Sequence, residues 1–221
     1  MQHFKIGILG GTGKEGGGLA VRLAFAGHAV AIGSREAKKA RACADEFLRL
    51  KGLKIVGADN RQAVATADIA ILTVPYSAQL STLADVKDSL QGKILIDATV
   101  PLIPPKVAQV HLPKEGSAAV AAQNLLGSGV RVVSAFQNVA AHQLSDLTHP
   151  VDCDVIVCGD DQAACESVLG IIGSIRLRGF YGGPLRNSAA VEAMTSVLIA
   201  INRRYKVGAS GIRITGVPVS P

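Results

Sequence analysis

Residues 5–16 of the chain read KIGILGGTGKEG, an apolar run of strand length that leads directly into a glycine-rich turn. The turn has the spacing G-x-G-x-x-G and comprises Gly11, Thr12, Gly13, Lys14, Glu15 and Gly16. In this spacing the first glycine permits a tight turn, the second lets a phosphate approach, and the third lets a helix pack closely on the strand. A helix that starts here presents free N–H groups to an anion. We therefore predict a phosphate-binding turn, and the alternative is a turn that uses glycine only for its conformational freedom.

Short apolar runs and helical patterns alternate along the rest of the chain. Strand-length runs occupy residues 29–32, 54–57, 69–74, 93–97 and 130–136, and helical patterns separate them. This alternation predicts an α/β fold of the Rossmann type, with a doubly wound, mainly parallel sheet. Aromatic residues make up only 4% of the chain and Trp is absent, so the core is built from aliphatic side chains, as in covered parallel sheets.

Composition excludes several classes of function. The net charge of +6 is either a solvated basic surface or an attraction for anionic ligands. Few aromatics and no block of like charge argue against nucleic-acid binding. We find no run of membrane-span length and no signal-peptide pattern. The four cysteines lack metal-ligand spacing, so we expect buried thiols in a cytoplasmic protein without a metal site.

The end of the second predicted strand indicates which dinucleotide binds. Enzymes that use NAD usually place an acidic residue there to hold the ribose 2′-hydroxyl, whereas this chain has Gly33, Ser34 and Arg35. Arg35 can grip a 2′-phosphate, Ser34 can add a hydroxyl, and Lys39 adds a charge one helical turn later. Glu36 follows and weakens the signal without reversing it. We predict NADP as the cofactor, and Ser34 is also expected to cap the next helix.

The last third of the chain has a different pattern. It predicts a strand at 154–158, a helix capped by Asp160 and Asp161, a further strand within 175–181 and a long helix at about 187–205. We predict an NADP-binding Rossmann domain over residues 1–137 and a smaller C-terminal α/β unit over 138–221 that closes the cofactor cleft. The long apolar helix at 189–201 could pack against a second copy, which predicts a homodimer.

Several motifs together resemble a known family, the NADPH-dependent oxidoreductases of the deazaflavin coenzyme F420. The resemblance covers nearly the whole chain, and the N-terminal domains of membrane ferric reductases share several of the motifs. The residues that carry it are Leu9-Gly10-Gly11-Thr12-Gly13, Gly18-Leu19-Ala20, Ala26-Gly27-His28, Gly33-Ser34-Arg35, Leu72-Thr73-Val74-Pro75, Val133-Ser134-Ala135, Val157-Cys158-Gly159-Asp160-Asp161, Gly183-Pro184-Leu185, Asn187-Ser188 and Val191-Glu192.

The resemblance implies hydride transfer between NADP(H) and coenzyme F420, two small-molecule cofactors bound side by side. It places Val74, Pro75 and Val100 at the nicotinamide end of the site. It places a second set beside the deazaflavin, namely Gln137, Asn138, Val139, Gly211 and Ile212. The family commonly has His-Thr-Ile where this chain has Gln137-Asn138-Val139, so the chain departs from the pattern on the acceptor side. Because the cofactors carry the reactivity, no catalytic acid or base is predicted.

Two other functions are compatible with these residues. One is an NADPH-dependent reductase of another acceptor, such as a flavin, a pterin or a metal chelate. The other is a non-catalytic sensor of NADP(H), which would bind the nucleotide without turnover.

Overall fold

The structure, a computed structural model, describes residues 2–217. Within them, eight strands alternate with eight α-helices and two short 3₁₀ turns at Tyr76–Ala78 and Leu185–Asn187. The strands are β1 (Lys5–Leu9), β2 (Ala29–Ser34), β3 (Ile55–Asp59), β4 (Ile69–Leu72), β5 (Ile94–Asp97), β6 (Arg131–Ser134), β7 (Asp154–Gly159) and β8 (Arg178–Tyr181). The helices are α1 (Lys14–Phe25), α2 (Ala37–Lys51), α3 (Asn60–Ala65), α4 (Gln79–Leu90), α5 (Ala118–Leu126), α6 (Ala141–Leu144), α7 (Gln162–Ser174) and α8 (Ser188–Tyr205).

All eight strands form one sheet with the order β3-β2-β1-β4-β5-β6-β7-β8. Every neighbouring pair is parallel except β6 and β7, which run antiparallel. The predicted mainly parallel, doubly wound α/β fold is therefore confirmed. The strand order reverses between β1 and β4, and ligands of such sheets bind in the crevice beyond the carboxyl ends of the strands at that point.

The sheet continues through the predicted boundary between residues 137 and 138. β7 belongs to the predicted C-terminal unit, yet it pairs with β6 through Val133 opposite Gly159 and Ser134 opposite Cys158. The second unit thus extends the sheet of the first instead of building a separate one. The division into two domains stays a prediction.

Helices cover both faces of the sheet, which explains why its central strands are apolar without alternation. All four residues of β4 are buried. One apolar cluster joins the sheet to α1, α2, α6 and α7, and a second joins it to α3, α4 and α5. Among residues 2–217, no helix has both the length and the apolar character needed to cross a bilayer.

The structure confirms one predicted helix cap and corrects another. Asp161 Oδ1 accepts from Ala164 N–H, so Asp161 caps α7 as expected. The expectation that Ser34 caps α2 is wrong, because the N-cap of that helix is Glu36. β2 extends through Ser34, which pairs with Asp59 on β3, so the chain turns toward the helix only afterwards.

Candidate cofactor-binding site

The three glycines of the turn have different surroundings. A Cβ on Gly11 would lie 2.7 Å from the Ile32 side chain, and one on Gly16 would lie 2.5 Å from Thr73 Oγ1. A Cβ on Gly13 would meet only Gly10 O, at 3.3 Å, and otherwise open space. Gly11 and Gly16 are therefore required for close packing, whereas Gly13 keeps the space in front of α1 free.

The start of α1 has the donors that a phosphate needs. Gly17 N–H makes the first helical bond, to Gly13 O at 2.8 Å. The N–H groups of Lys14, Glu15 and Gly16 therefore lack a partner within the helix and face the space kept open by Gly13. The positive end of the helix dipole lies at the same place, so the turn can hold the pyrophosphate of a dinucleotide.

The end of β2 lies next to this turn. Gly11 N–H donates to Gly33 O at 3.0 Å, which ties the turn to the second strand. Ser34 is half-buried, and its Oγ accepts from Glu36 N–H at 3.3 Å. Arg35 and Lys39 are exposed, and neither forms an ion pair with another described residue. The sequence-predicted 2′-phosphate ligands thus stand at the same sheet edge as the turn, with their charges available.

A cleft of about 830 Å³ opens on the other side of the turn, over the carboxyl ends of β4 and β5. Eight of the sequence-predicted site residues line it, namely Gly13, Lys14, Glu15, Val74, Pro75, Val100, Gln137 and Val139. The remaining lining residues are Thr73, Tyr76, Ser77, Ala98, Thr99, Leu102, Ile103, Pro104, Val107, Ala141 and Thr195. The cleft brings the predicted nicotinamide and acceptor residues together on one surface.

Tyr76 was a weaker candidate for lining the cleft from the sequence, whereas the segment Leu102–Val107 and Thr195 were missed for two different reasons. The segment Leu102–Val107 follows a central strand, and its prolines could have pointed to a wall of the cleft. Thr195 lies within the long helix α8, where nothing in the local pattern separates it from its neighbours. Its Oγ1 donates to Gln137 O at 2.8 Å, and only that long-range contact reveals its position.

Three predicted acceptor residues do not line the cleft and instead meet behind it. Asn138 is buried, and its Nδ2 donates to Asp154 O at 2.7 Å and to Cys153 Sγ at 3.1 Å. A Cβ on Gly211 would lie 2.9 Å from Cys153 Cβ, and Ile212 O accepts from Asp154 N–H at 2.8 Å. Asn138, Gly211 and Ile212 therefore gather at the start of β7.

Gln137 supplies a fixed polar edge to the cleft. Its Nε2 donates to Asp97 O at 2.7 Å and to Ser134 Oγ at 2.8 Å. Its Oε1 is buried and has no hydrogen-bond partner among the described residues. The amide is thus oriented by protein contacts at the border of the cleft.

Three carboxyl groups in or near the cleft have raised pKa values, which favours their neutral forms. Burial, and then the nearby charge of Asp97, raises the pKa of Glu15 to about 8. Burial also raises the pKa of Asp97, against hydrogen bonds from Thr99 and Gln79 that lower it. The pKa of Glu192 is raised to about 7 by burial, although Ala118 N–H and Ala119 N–H donate to it at 2.6 and 3.1 Å. Burial therefore shifts the pKa values of all three carboxyl groups upward.

Comparisons with known proteins agree with this geometry. Residues 5–101 match the family model described as NADP oxidoreductase, coenzyme F420-dependent. The chain is 42% identical over 223 residues to the F420-dependent NADP reductase of Methanothermobacter marburgensis, which covers 97% of this chain and 100% of that protein. It is also 42% identical over 225 residues to the enzyme of the same name from Methanocaldococcus jannaschii, with 98% and 100% covered.

A solved structure shows the same fold. The crystal structure of a protein from Arthrobacter sp. FB24 superposes on this chain with a TM-score of 0.82 at 24% identity. The superposition covers 96% of this chain and 99% of that one. The likeness in fold extends over the whole length of both chains, and the two archaeal relatives match at the sequence level over an equal length. On these grounds the chain belongs to the family of F420-dependent NADP reductases.

Proposed function

We propose that this chain transfers hydride between NADP(H) and the deazaflavin coenzyme F420. The observation that carries the proposal is the cleft of about 830 Å³ over β4 and β5, which begins at Gly13 of the glycine turn. The exposed Arg35 follows the strand to which that turn is hydrogen-bonded. Membership of the reductase family supports the identity of both cofactors.

NADP(H) fits Arg35, the glycine turn and the adjoining part of the cleft. Arg35, Lys39 and Ser34 can take the 2′-phosphate, and the start of α1 can take the pyrophosphate. The nicotinamide half is proposed to lie over β4 and β5, because ligands of such sheets bind beyond the carboxyl ends of the strands at the switch point and Val74, Pro75 and Val100 line the cleft there. The free cations at Arg35 and Lys39 and the empty space at Gly13 are features that this nucleotide would use.

The acceptor ring fits the second part of the cleft. Val139 and Pro104 offer apolar walls, and Gln137 forms a polar part of the lining. We include Asn138, Gly211 and Ile212 as residues that hold the segment 137–139 in place from behind, through their contacts with Cys153 and Asp154. The deazaflavin supplies the carbon that accepts hydride, and the chain orients the rings and excludes water.

The direct test is turnover with a panel of acceptors at fixed NADPH. Loss of the absorbance of oxidised F420 is expected on mixing with NADPH and protein, with much slower reduction of a flavin, a pterin or a ferric chelate. Preferred reduction of one of those acceptors would replace F420 in the proposal. Tight NADPH binding without turnover of any acceptor would instead favour a sensor.

We further propose that the protein is a homodimer that works in the cytoplasm. Four apolar side chains form an exposed stripe along one face of α8, namely Met194, Val197, Ile201 and Tyr205. Tyr181, on the outermost strand of the sheet, is also exposed. A second copy could cover both surfaces by two-fold symmetry. The cytoplasmic location rests on the four cysteines, which are all free.

Sedimentation of the protein and of an Ile201→Glu variant tests the dimer. The unmodified chain is expected at twice its monomer mass of 22.8 kDa, and the variant at the monomer mass. Arg203→Glu, an exposed change on the same helix outside the stripe, serves as the control and is expected to stay dimeric. A monomeric unmodified chain would contradict the proposal.

A further inference from the structure

Glu15 is a carboxyl group in the cleft for which the function described so far has no use. It is the second residue of α1, it is half-buried, and it lines the cleft together with Val74, Pro75 and Thr99. No hydrogen bond from another described residue reaches its carboxyl group; burial and the charge of Asp97 are the influences on its pKa. It is thus the acidic side chain that the nucleotide-binding helix presents to the cleft.

The charged groups around Glu15 are mostly acidic. Asp97 at the end of β5 is buried, and Glu192 on α8 lies behind it. Tyr76 also lines the cleft, and its pKa is raised by burial and then by the charges of Glu115 and Glu192. Lys14 is the only cationic side chain among the lining residues, and consecutive helical residues do not face each other.

Helix α6, which packs on α1, brings no further charge into the cleft. His142 on α6 is exposed, and it is Ala141 of that helix that lines the cleft. A carboxyl group in such a site favours its neutral form, in accordance with the raised pKa of Glu15, about 8. At neutral pH the free protein therefore holds a proton on Glu15.

Glu15 lines the part of the cleft in which we propose that the nicotinamide binds. The pyrophosphate site is formed by N–H groups of its own helical turn, and the nicotinamide half extends from there over β4 and β5. The side chain lines the cleft on that same side. The nicotinamide is neutral in NADPH and carries a positive charge in NADP⁺, so a group at this position meets a different charge in each state.

We propose that Glu15 responds to the redox state of the nucleotide: it keeps its proton beside NADPH and releases it to water beside NADP⁺. This inference rests on the proposed function, because it needs the nicotinamide in this cleft. The balance is simple, since the neutral carboxyl becomes a carboxylate and one proton leaves to bulk solvent. The new negative charge offsets the ring's positive charge where little water screens either.

Calorimetric proton counting tests the proposal without any acceptor. NADP⁺ and NADPH are titrated into the protein at pH 7 in buffers of different ionisation enthalpy, which gives the protons exchanged per binding event. We expect release of close to one proton with NADP⁺ and none with NADPH. Equal proton release for the two nucleotides would overturn the proposal.

Three variants assign the proton to its residue. Glu15→Gln is expected to abolish the difference in proton release and to weaken NADP⁺ about tenfold relative to NADPH, the change that one pKa unit represents. Glu15→Asp keeps a carboxyl group and is expected to keep the release, which covers the case that Glu15→Gln folds poorly. Glu46→Gln, an exposed neutralisation on α2, is the matched control and should behave as the unmodified protein. A difference that survives in Glu15→Gln assigns the proton elsewhere and overturns the proposal.

The pH dependence gives a second readout. The ratio of the NADP⁺ to the NADPH dissociation constant should fall as pH rises through neutrality, by at most tenfold per pH unit for one proton. A flat ratio would contradict the inference. Failure of both nucleotides to bind would instead defeat the proposed function, whereas binding and F420 turnover without a proton difference would defeat only the role of Glu15.

Discussion

At the scale of single residues, the glycines of the turn have two different roles. Gly16 is needed for close packing, whereas Gly13 is predicted to leave space for a bound phosphate. Gly16 has Thr73 Oγ1 at 2.5 Å and Gly11 Cα at 2.8 Å from the place of a Cβ, so even alanine would displace the helix from the strands. Gly13 faces open space and has an ordinary negative φ of −78°. A side chain there would occupy the space of the phosphate and not of the protein.

Substitutions at these two glycines should therefore fail in different ways. Gly13→Val is expected to fold normally and to lose dinucleotide binding, because its methyl groups fill the approach to α1. Gly16→Ala is expected to lower the melting temperature, because two contacts under 3 Å must be relieved. Circular dichroism melting and calorimetric titration with NADPH measure both. Normal NADPH binding by Gly13→Val would reduce the turn to a structural feature.

Arg35 is the residue that we propose as the ligand of the NADP 2′-phosphate. Arg35→Ala should weaken NADPH by about ten- to a hundred-fold, because a charge-assisted contact contributes roughly 1.5–3 kcal/mol. NADH should be unaffected, since it lacks the 2′-phosphate. Arg41→Ala removes an exposed arginine of the same helix region and is the control. Equal weakening of NADPH and NADH would remove Arg35 from the 2′-phosphate site.

At the scale of elements, a buried arginine joins the nucleotide-binding helix to the acceptor side of the cleft. Arg22 of α1 donates from Nε to Leu144 O at 2.8 Å and from Nη2 to Gln143 O at 2.9 Å, and Asp146 O accepts from it too. α6 is only four residues long and cannot be stable by itself. The arginine therefore holds α6, and with it Ala141, against α1.

Arg22→Met tests these hydrogen bonds, because methionine has a side chain of similar length without hydrogen-bond donors. Three carbonyl groups lose their partner, so the free energy of unfolding should fall by about 1–3 kcal/mol. The KM for the acceptor should rise more than the dissociation constant of NADPH, because α6 borders the cleft and not the phosphate turn. Denaturant unfolding and steady-state kinetics report the two effects. Arg49→Met on the exposed end of α2 should change neither.

At the scale of the whole molecule, His28 links the first strands to helix α7, which lies 146 residues further along the chain at Ser174. Its Nδ1 accepts from Phe4 N–H at 3.2 Å, and its Nε2 lies 2.9 Å from Ser174 Oγ. Burial, and then the neighbouring His3, lowers the pKa of His28 below its usual value. The folded protein therefore favours neutral His28, in which Nδ1 can accept.

The sign of the resulting pH effect follows from that lowered pKa. The unfolded chain binds the proton first, near pH 6.5, so the stability contributed by His28 is present above that pH and is lost as pH falls. The loss is at most about 1.4 kcal/mol per pH unit. His28→Asn keeps an acceptor for Phe4 N–H and should remove this dependence in denaturant unfolding between pH 7 and 5.

Comparing the unmodified protein with the His28→Asn variant separates the pH dependence due to His28 from that of other titratable groups. Glu192 has a raised pKa of about 7, so its contribution changes with the opposite sign over the same range. It is common to the unmodified protein and the variant. If the two unfolding curves kept a constant difference with pH, the linkage to His28 would be refuted.

The sequence by itself determined the features that a few neighbouring residues encode. The alternation of apolar runs and helical patterns predicted the doubly wound sheet, because burial on both faces leaves continuous apolar strands. The glycine spacing and the Gly33-Ser34-Arg35 turn predicted a nucleotide side of the site, and the structure brings these two segments next to each other. Asp161 could be recognised as a cap, since capping bonds reach only to the next turn.

Only the tertiary structure decided which distant residues share an environment. It placed Thr195 beside Gln137, joined Arg22 to α6, and gathered Asn138, Gly211 and Ile212 at Cys153 rather than in the cleft. It also raised the pKa of Glu15, because burial and the charge of Asp97 depend on the packing of segments far apart in the chain. Hydrogen bonds within a turn are local and leave a pattern in the sequence, whereas desolvation and long-range contacts are properties of the assembled fold.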